Sequence, residues 1–241
     1  EGEQACGDIG PGRMLEPEIL LRLSADMFES GALAGKHCVI TGGPSREALD
    51  PVRFISNHSS GKMAYALAAE AAAAGARVTL ISGPVNLPTP DPVTRVDVIS
   101  ARDMLKATMD NMDSADVFIG VAAVADYRPE SEQQQKIKKS DQEMTLALVK
   151  NPDIISEVAA LENRPLVVGF AAETNDIVEN GRGKLEKKKL DLLFANNATE
   201  TFNSDSISVT AISTDGDTEL PTANKNVVAR EMLQLISERL K

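Results

Sequence analysis

The chain has 241 residues, enough for one large domain or a domain with an appendage, and 42% of them are apolar, which supports a sizeable core. Lysine and arginine total 25 against 36 acidic residues, a net charge of −11, and with no tryptophan and 3% aromatics this disfavours nonspecific nucleic-acid binding and base-stacking platforms. Cys6 and Cys38 stand at unrelated positions, which argues against a disulfide framework or a zinc site; there is also no apolar run of membrane-spanning length and no signal-peptide layout, so the cytoplasm is the expected compartment.

Residues 1–35 differ in character from the rest of the chain. They are Gly-rich, with one short helical pattern from Leu15, and Ser30 to Gly35 reads as a linker. From Lys36 the pattern alternates. A strand over 37–41 is followed by a long polar loop, and an Ala-rich helix over 60–74 carries Met63, Leu67, Ala71 and Ala74 on one stripe. Ser59, Ser60 and Gly61 are read as the start of that helix. A strand over 77–82 stops at Gly83-Pro84, and Pro88, Pro90 and Pro92 keep the next stretch extended. A helix over 101–112 precedes a doubly apolar strand over 116–123, as a central parallel strand requires.

A further strand candidate is 144–149. Asn151, Pro152 and Asp153 then read as N-cap, first helical position and first turn. A buried strand from Leu166 ends near Ala172 to Thr174. The helix over 175–190 is weakened at its start by Gly181 and Gly183. After a short strand over 192–196, segments 206–213 and 219–221 suggest an antiparallel edge around Asp215-Gly216. The closing helix over 226–240 turns Val227, Met232, Leu235, Ile236 and Leu240 inward. Strand–helix alternation with buried runs predicts a three-layer, Rossmann-like α/β fold with a mostly parallel sheet and a small antiparallel edge.

Every strong loop signal falls just after a strand of this sheet: Gly42-Gly43 and Asn57, then Ala122 to Asp126, then Phe170 to Thr174, then Asn196-Asn197 with Phe202 to Asp205. Ligands bind at that edge in open α/β sheets, and the helix start after Gly61 suits an anion. The two standard phosphate loops fail, however. Ser56 stands where a Walker loop needs glycine and Met63 follows Lys62, while Pro44 breaks the dinucleotide fingerprint. Asp126 also reads as an exposed turn carboxylate, and Asn196 and Asn197 as strand-end turn formers.

Lysines gather at 136, 138 and 139 and at 184, 187, 188 and 189. Lys184 and Lys188 share a helix face, which is either solvated or converges on one anion. His37 reads as structural, and His58 is a loop histidine with no assigned role. A site made of asparagine, amides and lysine suits phosphoryl or nucleotidyl transfer, which depends on positioning and charge stabilisation. A dinucleotide-dependent oxidoreductase and a non-catalytic nucleotide-binding module are the rivals on the same fold.

Taken together, Ile55 to Met63, Ala123 to Arg128, Lys136 to Lys139, Lys150 to Ile154, Gly169 to Thr174 and Phe202 to Asp205 resemble bacterial phosphopantothenate–cysteine ligase, in order, from about Lys36 to the C-terminus. The leader from Gln4 to Met14 is similar to the end of the flavin enzyme phosphopantothenoylcysteine decarboxylase, which many bacteria fuse ahead of the ligase. The resemblance implies two regions, 1–35 as the tail of that decarboxylase plus linker and 36–241 as the ligase domain. It implies that 4′-phosphopantothenate is activated by CTP to an acyl-cytidylate, which L-cysteine then converts to the amide. Asn57 would hold and polarise the intermediate, and Lys136 would meet the triphosphate with Lys184 and Lys188 as companions. Gly120, Val121, Ala122, Asp126, Pro152, Asp153, Ile154, Ile155 and Phe170 would form the cytidine pocket, and Gly43, Ser60 and Gly61 would join Asn57 around the acid substrate. The resemblance further implies Mg2+ with CTP and a homodimer with part of the pocket across the contact. FMN would be confined to the decarboxylase half, where Cys6 occupies the place of the proton donor; Cys38 reads as core.

Overall fold

The computed structural model describes residues 2–3, 9–10, 17, 20, 31–138, 144–173, 175–197 and 206–240. From Lys36 the elements are β1 (His37–Gly42), β2 (Arg46–Ala48), β3 (Phe54–Ser56), α1 (Lys62–Ala73), β4 (Arg77–Ser82), β5 (Thr94–Asp97), α2 (Ala101–Met109) and β6 (Val117–Gly120). They continue with β7 (Tyr127–Pro129), β8 (Leu148–Lys150), α3 (Ile154–Ala159), β9 (Leu166–Glu173), α4 (Ile177–Lys188), β10 (Leu192–Asn197), β11 (Ser206–Ser213), β12 (Gly216–Asn224) and α5 (Lys225–Glu238).

An eight-stranded sheet runs in the order β12-β11-β10-β9-β6-β1-β4-β5. From β10 to β5 the neighbours are parallel, and β11 and β12 add the antiparallel edge. Every residue of β1 is buried, so its apolar run needs no alternation: helices cover both faces. Met63 and Leu67 of α1 join Met232 and Ile236 of α5 in the core on one face. Met104 of α2, Val158 of α3 and Leu185 of α4 fill the core on the other. Adjacent Leu193 and Phe194 of β10 serve opposite cores, as the period of two demands. The chain enters at β1, builds outward through β4 to β5, then returns to β6 and grows the other way. The topological switch point therefore lies between the carboxyl ends of β1 and β6.

Several expectations need correction. The long loop after β1 holds the hairpin β2–β3, in which Glu47 and Asp50 are buried rather than solvated. Its Glu47, 3% exposed, accepts a hydrogen bond from the Ala101 N–H at the start of α2. Neither Ser59 nor Ser60 caps α1. Gly61 precedes it with φ of 75°, a left-handed turn that glycine adopts without strain. Asn151 does not cap α3 either: Asp153 does, its carboxylate accepting from the Ser156 N–H at 3.3 Å. Pro152 thus precedes the helix.

The edge strand β5 was not expected, and the strand at 116–123 ends at Gly120. Gly181 is an interior contact of α4 rather than a weak start, because a Cβ there would lie 2.4 Å from Ile212 Cδ1. Val227 faces outward, 41% exposed. Leu33, within the supposed linker, is fully buried, and its N–H donates to the Ala74 carbonyl at 3.0 Å.

His37 is structural as expected, its ring bridging Ser114 and Thr79 at 3.0 and 2.9 Å. Burial pushes the Cys38 thiol up to about 12, so it is an inert core residue.

Candidate functional site

Backbone bonds stitch the switch point together. The Ala123 N–H donates to the Gly43 carbonyl at 2.9 Å, and the Val121 N–H to the Thr41 carbonyl at 3.2 Å. Two cavities open on this seam and share Ala123 and Phe170.

The first, about 870 Å³, is lined by Gly43, Asn57, Ser60, Gly61, Val121, Phe170, Ala172 and Asn196, with Lys62 and Lys225 at its boundary. The hairpin delivers Asn57 directly after β3, and its Nδ2 donates to the Val124 carbonyl at 3.0 Å. That bond anchors the amide to the β6–β7 turn through one of the two Nδ2 hydrogens and leaves the second available as a donor. All four residues expected to surround the acid substrate meet here.

The second cavity, about 680 Å³, is lined by Gly120, Ala122, Asp126, Pro152, Asp153, Ile154, Ile155, Phe170, Lys184 and Lys188. All but one of the residues expected to hold the cytidine ring and sugar converge on it. The exception is Val121, which faces the first cavity. Asn151 builds this wall in a way the cap reading missed. It is buried, its Nδ2 donates to the Ala125 carbonyl at 2.8 Å, and its N–H donates to the Asp126 carbonyl at 2.8 Å. The turn after β6 is thereby locked to the start of α3. A Cβ on Gly120 would come within 3.1 Å of Ile155 Cδ1, so the two residues are closely packed in this wall.

The lysines fare less simply. Lys184 pairs with Glu173 at 2.6 Å and Lys188 with Asp153 at 2.9 Å. Burial alone would raise the Asp153 carboxyl, but Lys188 and Ser156 outweigh it and the group lies below its ordinary value. Both lysines therefore line the cavity already neutralised by carboxylates. Lys136 is exposed and lines neither cavity. Its segment is bound instead to the tip of the hairpin, where the Ile137 N–H donates to Asp50 Oδ2 at 3.1 Å. Cys6, Lys139, Thr174 and Phe202 to Asp205 lie outside the described residues.

Sequence reasoning undervalued Asn196, read as a turn former but 3% exposed on the wall of the first cavity. Its place at the carboxyl end of β10 was the available signal. Among the described residues no group of three or more His, Cys, Asp or Glu side chains could hold a metal ion. No helix among them is long and apolar enough to cross a membrane.

A doubly wound sheet with adjoining cavities at its switch point, and no glycine fingerprint, defines a Rossmann-like α/β protein. The model of the DNA/pantothenate metabolism flavoprotein C-terminal domain matches residues 33–240, and the chain belongs to that family. It is 54% identical over 241 residues to the coenzyme A biosynthesis bifunctional protein CoaBC of Vibrio vulnificus (strain CMCP6), covering 98% of this chain and 60% of that protein. To the protein of the same name from Escherichia coli (strain K12) it is 50% identical over 246 residues, covering 99% and 61%. The chain thus spans about 60% of the length of these curated relatives. A crystal structure of the C-terminal domain of CoaBC matches with a TM-score of 0.77 at 42% identity, over 88% of this chain and 98% of that one. A Cab2 mutant in complex with phosphopantothenate-cysteine shares the fold, with a TM-score of 0.68 at 17% identity over 95% and 96% of the two chains.

Proposed function

We propose that this chain is a CTP-dependent phosphopantothenate–cysteine ligase of coenzyme A biosynthesis. The observation that carries this is the pair of adjoining cavities that share Ala123 and Phe170, one offered to each half of an acyl-cytidylate. The cytidine would lie against Gly120, Ile155 and Phe170, and the phosphopantothenoyl arm would run past Asn57 toward the start of α1. The family, and relatives named for coenzyme A biosynthesis, support the same assignment.

In the first step a carboxylate oxygen of 4′-phosphopantothenate attacks the α-phosphorus of CTP, and the bond to pyrophosphate breaks. In the second the cysteine amine attacks the acyl carbon, CMP leaves, and the amine loses a proton. The protein's part is to position and to stabilise charge. Asn57, neutral and pre-oriented through Val124, can face an anionic intermediate without repelling it. Lys136 meets the triphosphate, and Lys184 and Lys188 serve it once a phosphate replaces their carboxylate partners. Magnesium enters as the counter-ion of CTP. Asp153 and Glu173 are already spent on lysines, so no step is assigned to a resident metal.

Residues 36–241 make up the ligase domain and residues 1–35 the tail of a flavin-dependent decarboxylase half plus a linker; FMN would reside in that half, where Cys6 would act. The reaction belongs to the cytoplasm.

Incubating the chain with CTP, magnesium, 4′-phosphopantothenate and L-cysteine should release pyrophosphate and form the amide. No turnover would leave a binding module, and tight NAD(P)H binding would revive the oxidoreductase.

A homodimer fits the surface. Val52, Phe54, Tyr127 and Leu148 are 58, 50, 50 and 45% exposed on the hairpins β2–β3 and β7–β8, and β2 packs beside β7. A second copy of this chain would cover them. Sedimentation should give twice the 25.7 kDa chain mass, and the double change Val52→Asp with Tyr127→Ser should shift it to the monomer. A wild-type monomer at micromolar concentration would refute the dimer.

A further inference from the structure

We propose that Asp50 is a positioning residue that sets the placement of Lys136 by clamping the backbone of the neighbouring Ile137 to the hairpin that carries Asn57. This rests on the ligase assignment and on Lys136 meeting the triphosphate.

Asp50 has two jobs, one for each oxygen. Oδ1 accepts from the Val52 and Arg53 N–H groups at 2.8 and 2.9 Å, the ordinary way an aspartate shapes its own turn. Oδ2 is not needed for that turn. It accepts from the Arg53 side chain and from the Ile137 N–H at 3.1 Å, which lies 87 positions further along the chain. Arg53 Nη2 completes the clamp by donating to the Ile137 carbonyl at 2.8 Å. Both backbone polar groups of Ile137 are thus gripped, one by an anion and the other by its paired cation. A second tie holds the same segment, the Gln133 N–H donating to the Leu49 carbonyl at 2.9 Å.

With the peptide units on both sides of Ile137 held, the Cα atoms of Lys136 and Lys138 are placed, and each Cα–Cβ bond is left to swing about a single backbone torsion. The Asp50 side chain is shut off from solvent and is held well below the ordinary carboxylate range, by Arg53 first and then the backbone amides. It is therefore ionised at any working pH. Because Arg53 already neutralises it, the clamp places Lys136 through the main chain without drawing on the lysine charge. The contrast is with Lys184 and Lys188, which are held by their ammonium groups. One hairpin then sets two separate parts of the reaction: its tip places the lysine segment, and its base presents Asn57.

The test is a double-mutant cycle on pyrophosphate release with CTP varied, using Asp50→Asn, Lys136→Ala and the pair. Asp50→Asn should lower kcat/KM for CTP at least tenfold, mainly through KM. The pair should fall no further than Lys136→Ala alone, because both changes disable one device. Losses that multiply would assign Asp50 a purely structural role and overturn the proposal. Ile137→Pro, which deletes one clamped donor and leaves the Asp50–Arg53 pair intact, must reproduce the defect should Asp50→Asn fold poorly. Limited trypsin cleavage after Lys136 and Lys138 needs no activity and should accelerate at least tenfold in Asp50→Asn. Unchanged cleavage would refute the clamp even if Lys136→Ala kept normal CTP kinetics and the ligase site itself were wrong.

Discussion

Changing Asn57 to Asp should abolish formation of the amide product while leaving the chain folded. The side chain is exposed at the cavity mouth, so little packing is lost and the melting temperature should stay within a few degrees. The chemistry is another matter. A carboxylate has no N–H for the Val124 carbonyl and places negative charge beside both that oxygen and the acyl-cytidylate. Loss of one pre-oriented neutral donor of this kind costs on the order of 10²–10³ in rate, and added repulsion deepens the loss. Chromatographic measurement of the amide against the wild type reads the effect. Normal turnover by Asn57→Asp would remove Asn57 from the mechanism.

The second large effect is expected from Lys136→Ala. The lysine lines neither cavity in the single chain, so its role depends on reach from the clamped 133–137 segment or on delivery across a subunit contact. If it neutralises the triphosphate, kcat/KM for CTP should drop by about 10²-fold at low salt and the gap from the wild type should narrow as salt rises, because the partner is a charge and not a packing contact. Unchanged CTP kinetics would move the phosphate site to Lys184 and Lys188. Mixing Lys136→Ala chains with Asn57→Asp chains separates the two routes. Recovery of a fraction of the activity requires one site to draw both residues from different subunits; no recovery fits a site completed within one chain.

The fold was legible where burial dictated composition. β4 has the bounds its apolar run implies, and the parallel strands announce themselves because both faces are covered. The edge strand β5 was missed because it has only one neighbour and little buried surface to write into the sequence. The hairpin β2–β3 was missed for the opposite reason. Glu47 and Asp50 look like solvent residues, yet they are buried against partners far along the chain: the Ala101 amide and the Ile137 segment. Nothing local encodes such pairings. The same limit applies to Lys184 and Lys188, whose spacing gave the shared face but not the carboxylates of Glu173 and Asp153 waiting opposite. Much of the candidate site could be read as a set of strand ends, because topology alone gathers them at the switch point. Which side chains point into which cavity, as Val121 and Asn196 show, is set by turns that only the folded chain reveals.

The central claim is that one acyl-cytidylate spans both cavities. A crystal structure of the chain soaked with CTP, magnesium and 4′-phosphopantothenate, with cysteine withheld, tests it directly. The cytidine should stack beside Phe170 against Gly120 and Ile155, and the phosphopantothenoyl arm should pass Asn57 toward Gly61. A nucleotide seated anywhere else, such as the cleft between α1 and Pro88, with the seam at Ala123 and Phe170 left empty, would contradict it.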